Sequence, residues 1–183
     1  MTDKDREKWD LRYREDSGDP VPTFIVERYV SLASCGKALD IACGNGRNSL
    51  FLAEKGFRVE AVDISCVAID RLAGLHPGIT ARCLDLDTWE IRENEYDLIV
   101  NIRFLDRRLF PMIMAGLKLG GILIFESFVN EEGDRFCLKK KELQQAFSDL
   151  DIVYYEEKKI EGEGRFKGTA CLVGVKPDNK SRQ

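Results

Sequence analysis

Histidine is almost missing from this chain: His76 is the only one in 183 residues, and it stands in the turn-like stretch "GLHPG". A histidine-ligated metal or a Ser-His-Asp triad would rest on that single side chain, so neither is expected and no metal site is assigned. The six cysteines (Cys35, Cys43, Cys66, Cys83, Cys137, Cys171) include no C-x-x-C pair. That spacing argues against a zinc site and against a disulfide framework, and suits a reducing cytoplasm. No apolar run approaches the roughly 18 residues needed to cross a bilayer, so no membrane partner is expected. The opening "MTDKDREKWD" has neither the apolar core of an export signal nor the acid-poor character of a transit peptide, and a cytoplasmic location is the expectation. Excess positive charge is lacking too: 28 basic against 32 acidic residues give a net charge of −4, with the two signs interleaved. A broad nucleic-acid footprint is therefore not expected, and a small molecule is the better partner.

What is present is a regular alternation. "DKDREKWDLRYRED" reads as a helix with Trp9 and Tyr13 on one face, "SGDPVP" breaks it, and "TFIVERYVSLA" reads as a second helix with Thr23 as its N-cap. From residue 37 short apolar runs alternate with helical ones. The strands are "KALDI", "FRVEAVD", "ITARCLD", "YDLIVNI" and "ILIFESF", and the helices "RNSLFLAEKG", "SCVAIDRLAG" with Ser65 as cap, and "LFPMIMAGLKLGG". The polar "LDTWEIRENEYD" between the third and fourth strands predicts a short helix or none. A helix over "KKKELQQAFSDL" then precedes two strands, "DIVYYEEKKI" and "GTACLVGVK", whose short connector "EGEGRFK" permits a hairpin and forbids a parallel crossover. The pattern predicts a three-layer α/β sandwich, a mostly parallel seven-stranded sheet with a C-terminal antiparallel hairpin. We expect one domain: a helical lid or cap over 1–34, an α/β core over 37–177 and a frayed tail over 178–183.

The chemistry concentrates in "ALDIACGNGRN", residues 38–48. Strand, glycine loop and helix come in the order that offers backbone N–H groups to a ligand, but Gly44 and Gly46 alone are weak evidence. Asp40 is more telling. A carboxylate at that strand end repels a pyrophosphate and favours an ammonium, so a free amino acid moiety satisfies both Asp40 and the helix start. Asp63 lies 19 residues after Gly44, close to the roughly 20-residue spacing at which an acid accepts from ribose hydroxyls. Its bland alternative is a helix cap, a role for which Ser65 is available. Asp85 and Asp87 end the third strand, where a carboxylate accepts from an exocyclic amine. Amino acid, ribose and adenine across three strand ends describe S-adenosylmethionine.

With those residues in view, the chain resembles class I S-adenosylmethionine-dependent methyltransferases over 37–128. "ALDIACGNGRNSLFLAEKGFRVEAVDIS" is similar to the first two family motifs, in the variant with alanine at the first glycine position. "KWDLRYRE", "YDLIVNIRFLDRRLFP" and "LKLGGILIFESF" resemble the small bacterial tellurite-resistance and thiopurine-type enzymes, with Leu119 where proline is commoner. The resemblance implies a Rossmann-like fold in which Asp40, Ala42, Cys43, Gly44 and Gly46 hold the methionine part and Asp63 the ribose. Ile64 would pack on the adenine, Asp85 and the Leu86 backbone would read its amine, and Asn101 would stand near the methyl group. Cys43 reads as a small loop residue, since nothing near it in sequence lowers a thiol pKa.

Methyl transfer from a sulfonium needs alignment more than a nucleophile, so no catalytic residue is assigned. Arg103, Glu126 and Tyr13 are the acceptor-side candidates, with Asp106, Arg107, Phe128, Trp9 and Arg12 nearby. Trp9 and Tyr13 read equally well as part of a lid or as an anchor to the core. Two rivals stay open: a non-catalytic S-adenosylmethionine-binding sensor or assembly subunit, and a nicotinamide-dependent oxidoreductase, which Asp40 and the missing third glycine disfavour. Acceptor, general base and oligomeric state are not legible.

Overall fold

Short apolar segments that alternate with amphipathic ones assemble into a central sheet. The computed structural model describes residues 3–15, 20–130, 136–160 and 166–178. The strands are β1 (Lys37–Ile41), β2 (Arg58–Asp63), β3 (Ile79–Cys83), β4 (Tyr96–Ile102), β5 (Leu117–Val129), β6 (Asp151–Lys159) and β7 (Gly168–Val175). The helices among the described residues are α1 (Asp3–Glu15), α2 (Phe24–Tyr29), α3 (Arg47–Glu54), α4 (Cys66–Leu72), α5 (Leu109–Gly116) and α6 (Glu142–Ala146), with a 3₁₀ turn at Val30–Leu32. The sheet order is β3-β2-β1-β4-β5-β7-β6. The first five strands are parallel, and β7 runs antiparallel to both β5 and β6, as the short connector requires.

Period-two alternation in the parallel strands feeds two cores. Leu39, Ile41, Ile99, Leu123 and Phe125 pack against Leu109 and Ile113 of α5 and Leu143 of α6. On the opposite face Ala38, Val59, Ala61, Leu98 and Val100 pack against Ile25 and Val26 of α2, Leu52 of α3 and Leu72 of α4. Burying side chains of this size contributes roughly 1.5–3 kcal/mol each. The same alternation carries Asp40 to the α3 side of β1, beside Ala38 in phase. As the polar composition of residues 84–95 predicts, the link from β3 to β4 contains no helix.

Several elements depart from the sequence reading. The helix over 109–121 stops at Gly116, where a Cβ would stand 2.5 Å from Ile91 Cγ2. Leu117 is instead fully buried opposite Tyr96, and the step from that pair to Leu98↔Ile122 leaves 118–121 as a bulge. The helix over 139–150 shrinks to α6, yet Leu143, Phe147 and Leu150 are all buried, because Phe147 joins Phe110 and Phe125 in a ring cluster. Thr23 precedes α2 without a side-chain cap bond, whereas Ser65 caps α4 by accepting from Ala68 N.

One cysteine expectation is overturned. Cys66 and Cys83 form a disulfide, with their Cα atoms 5.0 Å apart. The α4 crossover returns the chain beside β2, so the first residue of the helix meets the last residue of β3, a proximity that sequence spacing does not display. Parts of the breaker before α2 and of the hairpin connector, and the tail beyond 178, lie outside the described residues.

Candidate functional site

The strand order reverses between β1 and β4, the switch point at whose carboxyl ends open α/β sheets form their ligand crevice. The loop after β1 is shaped by left-handed residues: Ala42 at φ 54, Gly44 at φ 55 and Gly46 at φ 80. Gly44 and Gly46 are required there by crowding as well as by φ. A Cβ on Gly44 would stand 2.6 Å from the Tyr13 hydroxyl, and one on Gly46 2.4 Å from Leu72 Cδ1. Ala42 adopts the same hand at a cost of roughly 1–2 kcal/mol. Gly46 is the N-cap residue of α3, so the loop runs directly into a helix start.

Two buried carboxylates organise this crevice. Asp40 is 1% exposed and accepts a 2.6 Å bond from the Ser49 hydroxyl. Burial pushes its carboxyl up to about 7; the Ser49 bond and Arg47 act against that rise and Asp63 adds to it. Asp63 spans two loops, accepting from Gly44 N at 2.9 Å and from Ser65 N at 2.8 Å. Burial raises its pKa as well, opposed by those backbone donors. Burial holds the Cys43 thiol well above its ordinary value, and its Sγ turns to the Gly44 carbonyl.

Along the neighbouring strand ends the fold brings together Ile64, buried beside Asp63, and Leu86, buried beyond β3. Asp85 accepts from Asp87 N at 2.9 Å and lies at the half-buried mouth of the crevice. Asn101 is in register with Ile41 and buried, but its amide donates 2.7 Å to the Phe104 carbonyl and so shapes the turn after β4. His76 accepts from Gly78 N in its own turn, far from these carboxylates in the chain's course.

Helix α1 lies across the same strand ends. No residue of it is buried, and its half-buried positions include Arg6, Trp9, Asp10 and Tyr13, a polar i, i+3, i+4, i+7 face. Asp10 accepts from the Ser65 hydroxyl at 2.5 Å, Trp9 stacks on Tyr13 at 5.9 Å, and Arg71 of α4 donates to the Tyr13 and Arg14 carbonyls. Burial, with Asp63 second, pushes the Tyr13 hydroxyl far above its ordinary value. The sequence reading missed Asp10 and Ser49. Asp10 sits on the helix face defined by Trp9 and Tyr13, and Ser49 lies one turn into α3, so both were within reach of helical periodicity.

At the ends of β4 and β5, Arg103 takes a left-handed φ of 59 and its Nε stands 3.4 Å from Glu126 Oε1. Glu126 also accepts from the Cys171 thiol, which burial and then Glu126 push up to about 12. Phe128 stacks on Phe166 with centroids 3.8 Å apart, and the Arg103 guanidinium lies 5.9 Å from the Phe128 ring. Tyr13 is not in this group; it covers the glycine loop instead. Asp106 and Arg107 are diverted as well, Asp106 to Arg108 and Arg107 to Glu142 and the Cys137 carbonyl.

This crevice, with a glycine loop and an acid at successive strand ends, sits in a sequence whose residues 21–165 match the family described as tellurite resistance protein TehB. The chain belongs to the TehB family. It is 27% identical over 150 residues to the protein named "Probable S-adenosyl-L-methionine-dependent methyltransferase TehB" of Haemophilus influenzae, a match covering 73% of this chain and 52% of that protein. It is 30% identical over 168 residues to "Hemagglutinin 1" of Eikenella corrodens, covering 82% of this chain and 55% of the relative. The chain thus spans about half the length of the curated relatives it matches. The crystal structure of Haemophilus influenzae TehB superposes with a TM-score of 0.70 at 23% identity, over 83% of this chain and 61% of that one. The [4+2]-cyclase SpnF follows at 0.69 and 20%, over 84% and 78%. These likenesses show the TehB-type methyltransferase fold, which also carries other chemistry.

Proposed function

We propose that this TehB-family chain is an S-adenosylmethionine-dependent methyltransferase that lays its cofactor across the ends of β1, β2 and β3 and takes a small polar acceptor at the ends of β4 and β5. Asp40 is the observation that carries the reading. A carboxylate sealed in the interior and raised to about 7 by burial is short of a cation, and the cofactor's α-ammonium is one. The residues present fit the rest of the cofactor as well: the loop runs through Gly46 directly into the start of α3, whose dipole and first-turn N–H groups suit a carboxylate. Asp63 keeps lone pairs for ribose hydroxyls beyond the two it gives to Gly44 and Ser65. Ile64, Asp85 and the Leu86 backbone would enclose the adenine.

When bound, the cofactor supplies an electrophilic methyl group. The protein's part is then alignment and exclusion of water, which contribute roughly 7–11 kcal/mol in well-oriented reactions. Helix α1 acts as the lid: its polar docking face, held by Asp10 on Ser65, can part from the strand ends without exposing a core. Arg103 and Glu126 flank the acceptor, Arg103 orienting a polar or anionic group and Glu126 taking a proton where the acceptor carries one. The Phe128–Phe166 stack offers a flat apolar wall beside them.

Among the relatives are proteins named for methylation of ribosomal protein L11 and of ribosomal RNA. A small acceptor is favoured here by the interleaved charge and net −4. The test is release of S-adenosylhomocysteine in the presence of small thiols, selenite, tellurite, amines, phenols and carboxylates. Turnover on one class supports the reading, whereas cofactor binding with no turnover on any of them favours a sensor or assembly role.

A further inference from the structure

The disulfide stands at a particular place in the crevice. Cys83 is the last residue of β3, in register with Asp63 of β2, and the rung is completed by Leu84 N donating 2.8 Å to the Asp63 carbonyl. Cys66 is the first residue of α4 and follows Ser65, whose N–H binds Asp63 and whose hydroxyl binds Asp10 of α1. The bond therefore joins the loop 63–66 to the loop 83–86, the two walls between which the nucleoside end of a ligand would lie. Both cysteines are half-buried, so a small thiol or phosphine can reach them.

We propose that the Cys66–Cys83 pair is a reversible redox site that sets cofactor affinity, the oxidised form being the one competent for tight binding. The proposal rests on the cofactor reading of the crevice given above. With the bond closed, the start of α4 and the end of β3 cannot separate, so the slot width and the positions of Ser65 and Asp63 are fixed before the ligand arrives. With the bond open, α4 keeps its Ser65 cap and the contact of Asp10, but the two walls move independently, and binding must order them at a cost in affinity. Closure requires a low-molecular-weight disulfide as oxidant. One cysteine thiolate attacks a sulfur of that disulfide, forming a mixed disulfide and expelling one thiolate. The second cysteine thiolate attacks the protein-side sulfur and expels the other. Two electrons pass from the cysteines to the small disulfide, and the two protons end on the released thiols.

The test uses the full chain equilibrated with oxidised glutathione or with a phosphine reductant, the bond being located in each sample by peptide mass spectrometry. S-adenosylhomocysteine binding is measured by calorimetry, and hydrogen exchange of residues 64–72 and 83–87 is followed without ligand. The oxidised form is expected to bind about tenfold more tightly, and reduction to accelerate exchange in both segments. The double variant Cys66→Ser, Cys83→Ser should behave as the reduced protein under either treatment. Equal affinity in the two states, or failure of oxidised glutathione to close the bond, overturns the proposal. Should S-adenosylhomocysteine bind neither form, the cofactor reading falls on its own, and equal exchange rates in the two states then overturn the redox site independently.

Discussion

If Asp40 is the partner of a ligand ammonium, cofactor affinity must follow its ionisation. Burial places the carboxyl at about 7, so the ionised fraction falls about tenfold between about pH 8 and about pH 6, equivalent to about 1.4 kcal/mol. The ligand's ammonium is charged across that range. The dissociation constant of S-adenosylhomocysteine should therefore weaken about tenfold over the same interval, with close to one proton released on binding at about pH 6 and little at about pH 8. Calorimetry in two buffers of different ionisation enthalpy reads both quantities. Asp40→Asn, which keeps an acceptor for the Ser49 hydroxyl, should weaken binding and flatten its pH dependence. The ligand-free protein moves the other way. Folded Asp40 holds its proton to about 7, while the unfolded chain releases it near 3.8. This group's contribution to stability therefore falls as pH rises through that window and stays low above it. Asp40→Asn should thus raise the melting temperature at about pH 8. A pH-independent affinity in the wild type, or a slope retained in Asp40→Asn, would refute the assignment.

Asp63→Ala strands the Gly44 and Ser65 amides, so it should cost about 2 kcal/mol of stability as well as cofactor affinity; unchanged melting and binding would remove Asp63 from the site. Gly44→Ala places a Cβ 2.6 Å from the Tyr13 hydroxyl at a left-handed φ, and should displace α1 and abolish binding, a result that tryptophan emission and calorimetry would register together. Trp89→Phe leaves Trp9 as the sole tryptophan, whose emission should shift when S-adenosylhomocysteine binds; a silent Trp9 would detach α1 from the lid role. Reducing the Cys66–Cys83 bond, which closes a loop with a sequence separation of 17, should destabilise the chain by about 3 kcal/mol in thermal or denaturant unfolding.

Strand order and the terminal hairpin were legible because each parallel strand is a short apolar run, and the eight residues between β6 and β7 allow only a hairpin. Asp40 was legible from its place at the end of the first strand and Asp63 from its 19-residue distance from Gly44, and both prove to be buried at adjacent strand ends. What escaped depends on tertiary contact. The Cys66–Cys83 bond arises only when the α4 crossover closes beside β2. The diversion of Arg107 arises only when α6 brings Glu142 within 2.5 Å. Asp63 illustrates the same limit in finer grain: its spacing pointed to a ribose, but its two backbone donors make it a structural tie between loops as well. Residues 117–121 read as helix because Leu117 falls four residues after Ile113, and the competing demand of Leu117 for a place opposite Tyr96 decided otherwise.

The most direct measurement is calorimetric titration of the oxidised chain at about pH 8, where Asp40 is ionised, with S-adenosylhomocysteine and, separately, with NAD. A site built on Asp40, Gly44 and Asp63 for a zwitterion and a ribose predicts micromolar binding of S-adenosylhomocysteine and none of NAD. Binding of NAD with no heat from S-adenosylhomocysteine would contradict it.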